Sequence, residues 1–414
     1  MNVFLPSLPG MARDFGVDYG TMQLSVSAYL VASAIVQLLV GPLSDRWGRR
    51  PVMLGALAIF VAATVGTIAA PTAGWFLVFR MAQAAVATGL ALSRAVVRDM
   101  VAGDAAASRI GYVTMGMSVV PMIAPILGGL IDEAAGWRAV FVVLGAAGAG
   151  MLWLTYADMG ETAAGGGTSL RTQVANYPVL ARSGRFWGYA LAMTFASGAF
   201  FAYVGGAPFV GEQVFHMSPA EVGYWFAAPS IGYMLGNFLA GRLSVKVGTN
   251  NMILAGAVLT ALVLAVATVG DLAGIHRPLV FFGAIAVMGM GNGMVLPNSA
   301  AGMMGVVPHL AGTASGLGGA MALAGGAGLS AIAGVFLVPG AGALPLLVIM
   351  LASAVGSLIS IAAIMRSPRE PEGGRRLSAD RPAKSRVPVP RTAGMRYCRL
   401  QRQRRTGNGN PTRQ

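Results

Sequence analysis

"GPLSDRWGRRP", residues 41–51, and "GRLSVKVG", residues 241–248, carry glycine, leucine, serine and a second glycine in matching places, 200 residues apart. Each follows one apolar run and precedes another, so the chain reads as two halves built alike. The first copy gathers Asp45, Arg46, Arg49 and Arg50 in a protein of which only 11% is charged. Gly41 and Gly48 suit close approach and tight turning. Asp45 suits a helix-end anion or an ion-pair partner. A purely topogenic cluster explains the three arginines but neither Asp45 nor the glycines. The basic, glycine-containing stretch "ETAAGGGTSLRTQVANYPVLARSGR", residues 161–185, reads as the linker between the halves.

Working outward, 55% hydrophobic residues and 58 glycines in 414 residues describe a chain whose solvent is lipid. Uncharged runs long enough to cross a bilayer as helices, about 20 residues each, occupy 19–44, 51–70, 75–93, 110–131, 139–157, 186–211, 222–241 and 247–270. The uncharged block 278–365 is cut into three by the turn residues of "GVVPHLAG" (305–312) and "VPGAGALP" (338–345). Eleven complete spans are predicted. Residues 1–9 read as the last turns of a further span, with no cleavable signal peptide before them. The division is an N-terminal membrane half at 1–160, the linker at 161–185, a C-terminal membrane half at 186–365 and a disordered tail at 366–414. If the 41–51 stretch is cytoplasmic, eleven of the arginines and lysines flanking the spans fall inside and only Arg13, Arg138 and Arg277 outside, which also places the C-terminus inside.

The net charge of +14 does not indicate nucleic acid, because the tail from Arg366 alone contributes +11. That tail is rich in Pro, Arg and Gly and suits contact with anionic headgroups rather than a packed surface. Cys398, the only cysteine, excludes an internal disulfide. His216, His276 and His309 lie in separate predicted loops without ligand spacing, so no metal is expected. No phosphate loop, "HExxH" or paired nucleophile and base appears. The sequence is therefore read as that of a membrane protein that is not an enzyme and needs no cofactor.

The 41–51 stretch resembles motif A of the major facilitator superfamily, G-x-L-[SA]-D-R-x-G-R-[RK]-x. By that resemblance Gly41, Asp45, Arg46, Gly48, Arg49 and Arg50 form a gate that latches the halves on the cytoplasmic side. "RMAQAAVATGLALSRAVVRDM" (80–100) resembles motif B, which implies that Arg80 is a buried arginine tied to proton coupling. It departs at Ala84, where a glycine is usual. Arg94, Arg98 and Asp99 lie at the cytoplasmic end of that helix, where Arg94 or Arg98 is a candidate partner for Asp45, with interface snorkelling as the alternative. "GMSVVPMIAPILGGLI" (116–131) resembles motif C of drug/proton antiporters; Pro121 and Pro125 disturb the helix, and Gly128 and Gly129 allow close packing.

"FLPSLP" (4–9), "ALSRAVVRDM" (91–100), "APILGG" (124–129), "YVGGAPFV" (203–210), "MSPAEVGYWFA" (217–227) and "AGTASGL" (311–317) are similar, in order, to segments of the Bcr/CflA drug efflux transporters. The departure is Asn2, where that family usually has an aspartate. The resemblance implies an all-α fold of two six-helix halves in the bacterial inner membrane. It also implies export of a phenicol- or bicyclomycin-type drug by proton antiport, by a monomer. An importer of a small polar metabolite or an inactive truncated transporter is the alternative. The helices that line the path in this fold make Asn2, Tyr29, Gln37, Tyr203, Tyr233, Asn237 and Asn292 the cavity candidates, each equally able to serve as a helix-packing contact.

Overall fold

A computed structural model describes residues 2–100, 104–162, 177–307 and 310–366. The described residues are helical, without a strand. In chain order the helices are α1 (Leu8–Phe15), α2 (Tyr19–Trp47), α3 (Arg49–Ile68), α4 (Ala73–Ala82), α5 (Ala87–Met100), α6 (Asp104–Ala135) and α7 (Trp137–Asp158). After residue 177 come α8 (Gly184–Gln213), α9 (Pro219–Trp225), α10 (Ala227–Val247), α11 (Thr249–Leu272), α12 (Pro278–Val306), α13 (Ala311–Phe336) and α14 (Leu344–Arg366). Helices are the outcome that lipid demands, since each satisfies its own backbone. Nine described helices are long and apolar enough to cross a membrane. The other two expected spans, 110–131 and 222–241, coincide with α6 and α10.

Several boundaries moved for local reasons. The N-terminal turns run past residue 9: a 3-10 turn at Leu5–Ser7 leads into α1, which stops at Gly16 with φ +64°. The span expected at 222–241 is preceded by α9 and broken at Phe226. Pro229 has no N–H to give to the turn before it, so one continuous helix is not available there. Asp18 caps α2, accepting from Thr21 N at 2.8 Å. Ser218 and Glu221 form a reciprocal capping box on α9. The block 278–365 divides into α12, α13 and α14 near the expected turns; residues 308 and 309 lie outside the described residues, as do most of the linker and the tail after 366.

The 41–51 stretch contains no loop: α2 ends at Trp47, α3 begins at Arg49, and Gly48 alone makes the turn. Gly48 has φ 95°, ψ 155°, and Gly248 has φ 90°, ψ 146°. Both donate backwards, Gly48 to Ser44 O at 3.0 Å and Gly248 to Ser244 O at 2.9 Å. The 200-residue sequence repeat is thus a repeat of backbone geometry that only glycine adopts without strain.

The packing is unequal along the bundle. At the end opposite the 41–51 stretch, called the far end below, one apolar core runs from Phe4, Met22, Leu30 and Phe141 of the first half into Tyr203, Phe209, Leu346 and Met350 of the second. Phe76 stands edge-on to Phe141 at 5.5 Å and to Trp137 at 5.9 Å, an arrangement that aromatic quadrupoles favour. At the 41–51 end the cores are separate: Val40, Val52 and Leu92 cluster in the first half, and Ala240, Met252 and Met294 in the second. Apolar side chains such as Leu24, Val31, Ile35 and Val266 are exposed on the outside, where lipid covers them.

Candidate functional site

The charged stretch folds around one carboxylate from the start of the 161–185 stretch. Glu161 follows α7 and accepts from the backbone N–H of Arg49 at 2.8 Å and of Arg50 at 3.3 Å. It thereby fills the N-terminus of α3, where orphan donors and the helix dipole favour an anion. Gly48 lies so close to Glu161 that no Cβ fits between them. Arg50 also donates to Tyr156 O at 2.9 Å, with its guanidinium 5.7 Å from the Tyr156 ring centre. Only the tertiary fold brings Glu161 here, so no local sequence signal marks it.

Arg49 is the hub of this end. It pairs with Asp45 at 2.6 Å, with Asp99 of α5 at 3.1 Å, and donates to Ser44 Oγ. The described partner of Asp45 is therefore the first residue of α3 rather than Arg94 or Arg98, whose side chains lie outside the described residues. Asp99 ties α5 to the turn. Arg46 is exposed. Gly41 corrects an expectation: it lies inside α2, and a Cβ there meets nothing within 4 Å, because the halves are apart at this end.

A second site is built around Arg80. The side chain is buried, and its guanidinium lies 4.4 Å from the Phe4 ring centre and 4.2 Å from that of Tyr29. Stacking on two ring faces suits a delocalised, weakly hydrated cation. Arg80 donates to Gln83 Oε1 at 2.7 Å, Gln83 donates to Thr64 Oγ1 at 2.8 Å, and Thr64 donates to Phe60 O at 2.7 Å. The chain of bonds links α4 to α3. Helix 75–93 was expected to be unbroken, yet residues Gln83–Val86 tighten into a 3-10 turn between α4 and α5. Short 3-10 stretches inside helices accompany hinges. Gln83 was missed in the sequence although its spacing of three from Arg80 places both on one helix face.

The remaining cavity candidates do not converge. Asn2 is half-buried, and its carbonyl accepts from Leu5 N at 3.3 Å. Gln37 is half-buried on α2. Tyr203 is enclosed beside Phe226, at 5.2 Å between ring centres, and its hydroxyl makes no hydrogen bond among the described residues. Asn237 donates to Tyr233 O at 2.8 Å within α10, and both are half-buried. Asn292 donates to Ala196 O at 3.1 Å, a bond joining α12 to α8.

At the far end the halves close on each other. Pro121 and Pro125 lie inside the continuous α6. Gly128 abuts the Val3 carbonyl, Gly129 the Pro219 carbonyl, and Gly223 of α9 the Pro125 carbonyl, none with room for a Cβ. Gln23 of α2 donates to Ser330 O of α13 at 2.6 Å, and Tyr19 donates to Gly205 O of α8 at 2.5 Å. Arg13 pairs with Glu212. The hydrogen bonds and ion pairs between the two halves of the described residues all belong to this end. A cavity of about 740 Å³ opens beside it, bordered by Arg13, Asp18, Tyr19, Phe209, Gln213 and Gly334. No group of three or more potential metal-ligating side chains occurs among the described residues.

Comparison with known proteins agrees with this architecture. The chain is 32% identical over 332 residues to the uncharacterized MFS-type transporter YdgK of Bacillus subtilis, covering 78% of this chain and 81% of that one. It is 30% identical over 326 residues to a chloramphenicol resistance protein of Pseudomonas aeruginosa, covering 76% and 75%. Among solved structures, a bacterial homolog of the human lysosomal transporter Spinster, in an inward-facing and occupied conformation, superposes with a TM-score of 0.71. It is 16% identical and covers 87% of this chain and 91% of its own, a likeness of fold. The family model of the Major Facilitator Superfamily matches residues 1–219 and 208–403. With two halves that repeat the same glycine turn and meet at one end of the bundle, this chain belongs to the Major Facilitator Superfamily of membrane transporters.

Proposed function

We propose that the protein exports small hydrophobic drugs of the phenicol or bicyclomycin type across the bacterial inner membrane in exchange for protons, as a monomer, by alternating access. The observation that carries the reading is the asymmetry of the bundle: one core joins the halves at the far end, while the cores at the 41–51 end stay separate. The excess of arginine and lysine makes the 41–51 end cytoplasmic, so this conformation faces inward. The relative from Pseudomonas aeruginosa, by its name a chloramphenicol resistance protein, supports the substrate class. In this reading Arg80, which lies between Phe4 and Tyr29, couples protons and substrate. In a bacterium deleted for its own pumps, expression should lower chloramphenicol accumulation, and a protonophore should restore it. Accumulation that stays low after the gradient is dissipated contradicts proton-driven export.

In this reading the 41–51 stretch is a gate element whose charges set how readily the cytoplasmic end closes. Asp45→Asn keeps all three arginines, so membrane orientation should persist. It removes the Asp45–Arg49 pair, a charged hydrogen bond worth on the order of 1–3 kcal/mol. A loss confined to one of the two conformations shifts their equilibrium about 5- to 150-fold. Export should fall at unchanged expression, and a cysteine at Gln37 should change its labelling rate. Wild-type export with unchanged labelling would reduce the stretch to a topological anchor.

A further inference from the structure

One polar side chain of the first half is sunk entirely into the second. Gln23 of α2 is 1% exposed, and its carboxamide occupies a socket between α8 and α13. Nε2 donates to Ser330 O at 2.6 Å and lies 3.4 Å from Ser330 Oγ. Oε1 has no hydrogen-bond partner among the described residues. Two glycines make room for the group. A Cβ on Gly205 of α8 would overlap Gln23 Nε2 and Ser330 Oγ, and one on Gly334 of α13 would overlap Gln23 Oε1. Gly20, three residues before Gln23, lets the backbones of α2 and α13 approach at Gly334 O. Tyr19, one turn before Gln23, donates to Gly205 O at 2.5 Å, so α2 reaches the same glycine with two side chains.

We propose that Gln23 is the lock of the outer end: an uncharged polar side chain that α2 inserts into the opposite half when that end closes and withdraws into water when it opens. The proposal rests on the alternating-access reading and adds a positioning residue to it. The two states treat the carboxamide differently, which is what a gate residue requires. In the closed state it keeps the bond to Ser330 O, but Oε1 loses the donors that water supplies, and a half-satisfied buried amide is costly. In the open state water satisfies both its oxygen and its nitrogen. Apolar packing at this end, with Tyr19 on Phe209 at 5.0 Å between ring centres, favours closure, and the unpaired oxygen of Gln23 opposes it. An apolar side chain would remove that opposition, and a charged one would exceed the packing. The neutral, donating amide falls between them, so the end both seals and reopens.

The test follows the outer end directly. Spin labels on cysteines at Gly74 and Leu272, exposed positions at the far ends of α4 and α11, are placed in a chain carrying Cys398→Ser and measured in nanodiscs by electron–electron double resonance. Gln23→Met keeps the length of the side chain and removes its polar atoms, while Ser330 O retains its own acceptor bond within α13. The closed-to-open ratio should rise about 5- to 150-fold over wild type, the range set by one unsatisfied buried group. Gln23→Glu has the same shape but turns a carboxylate toward the Ser330 carbonyl, and should lower the ratio at least about tenfold. Gly334→Ala should also lower it. The three atoms nearest the added methyl all belong to Gln23, so the same change should have far less effect in a chain that carries Gln23→Ala. If Gln23→Glu does not assemble, Gly334→Ala supplies the opening variant. Shifts of one sign in Gln23→Met and Gln23→Glu, or a Gly334→Ala effect that persists in full beside Gln23→Ala, overturn the lock. Gly129→Val, whose side chain meets the Pro219 carbonyl, is the reference. A distance that Gly129→Val shifts and the Gln23 variants do not overturns the lock alone. One that none of them shifts overturns it and counts against alternating access as well.

Discussion

A valine at Gly129 is expected to hold the outer end open. The backbone of Gly129 meets the Pro219 carbonyl and Ala220 of the opposite half, with no space for even a Cβ. Backbone cannot rotate aside as a flexible side chain does, so the added methyl groups oppose this one contact. Overpacking costs about 1–3 kcal/mol where the structure must accommodate it. Here the protein escapes that cost by parting the halves, since the three atoms nearest an added Cβ all belong to the opposite half. The outward-open population should therefore rise about 5- to 150-fold, with export falling in proportion and thermal stability nearly unchanged. Gly223→Val makes the reciprocal clash with Pro125 and should give the same phenotype from the other side. Both variants can be scored by labelling a cysteine at Gln213, which borders the outer cavity. Unchanged labelling in both would show that the glycine contact does not seal this end.

The second large effect is expected at Arg80. Arg80→Met keeps length and packing but removes the cation between Phe4 and Tyr29 and leaves Gln83 Oε1 without its donor. Replacing a buried charge by an apolar side chain is often neutral for stability, because the desolvation cost disappears with the charge. Transport is another matter. A hydrogen bond to a charged group is worth roughly 1.5–3 kcal/mol, so export should fall about 10- to 100-fold while the melting temperature holds or rises. Arg80→Lys should recover little, since an ammonium reproduces neither the planar stack nor the fixed geometry toward Gln83. A variant that melts normally and exports normally would make Arg80 a packing residue.

What the sequence discloses follows from how lipid acts on it. Span positions were legible because uncharged runs end wherever a charge or a Pro-Gly turn does, as at 305–312 and 338–345. The glycine turn was legible twice over, since Gly48 and Gly248 share a backbone conformation that other residues resist. The buried faces were not legible. On α2, Met22, Val26 and Leu30 are enclosed while Leu24, Val31 and Ile35 face outward, and all six are apolar. With oil on one side and protein on the other, periodicity that marks a soluble helix disappears. Glu161 and Glu212 were invisible for a different reason: each is a lone carboxylate at a helix end whose partner comes from a distant stretch of chain. The break at Gln83–Val86 contains neither Pro nor Gly, so no residue announces it.

The central claim, proton-driven export of a hydrophobic drug, is tested most directly in inverted membrane vesicles containing this chain. Radiolabelled chloramphenicol should accumulate in the lumen when the lumen is made acidic relative to the medium. It should leave when an ionophore collapses that gradient, and Arg80→Met vesicles should stay near the level of empty ones. Equal accumulation with and without the gradient, or none above vesicles lacking the protein, would contradict the account.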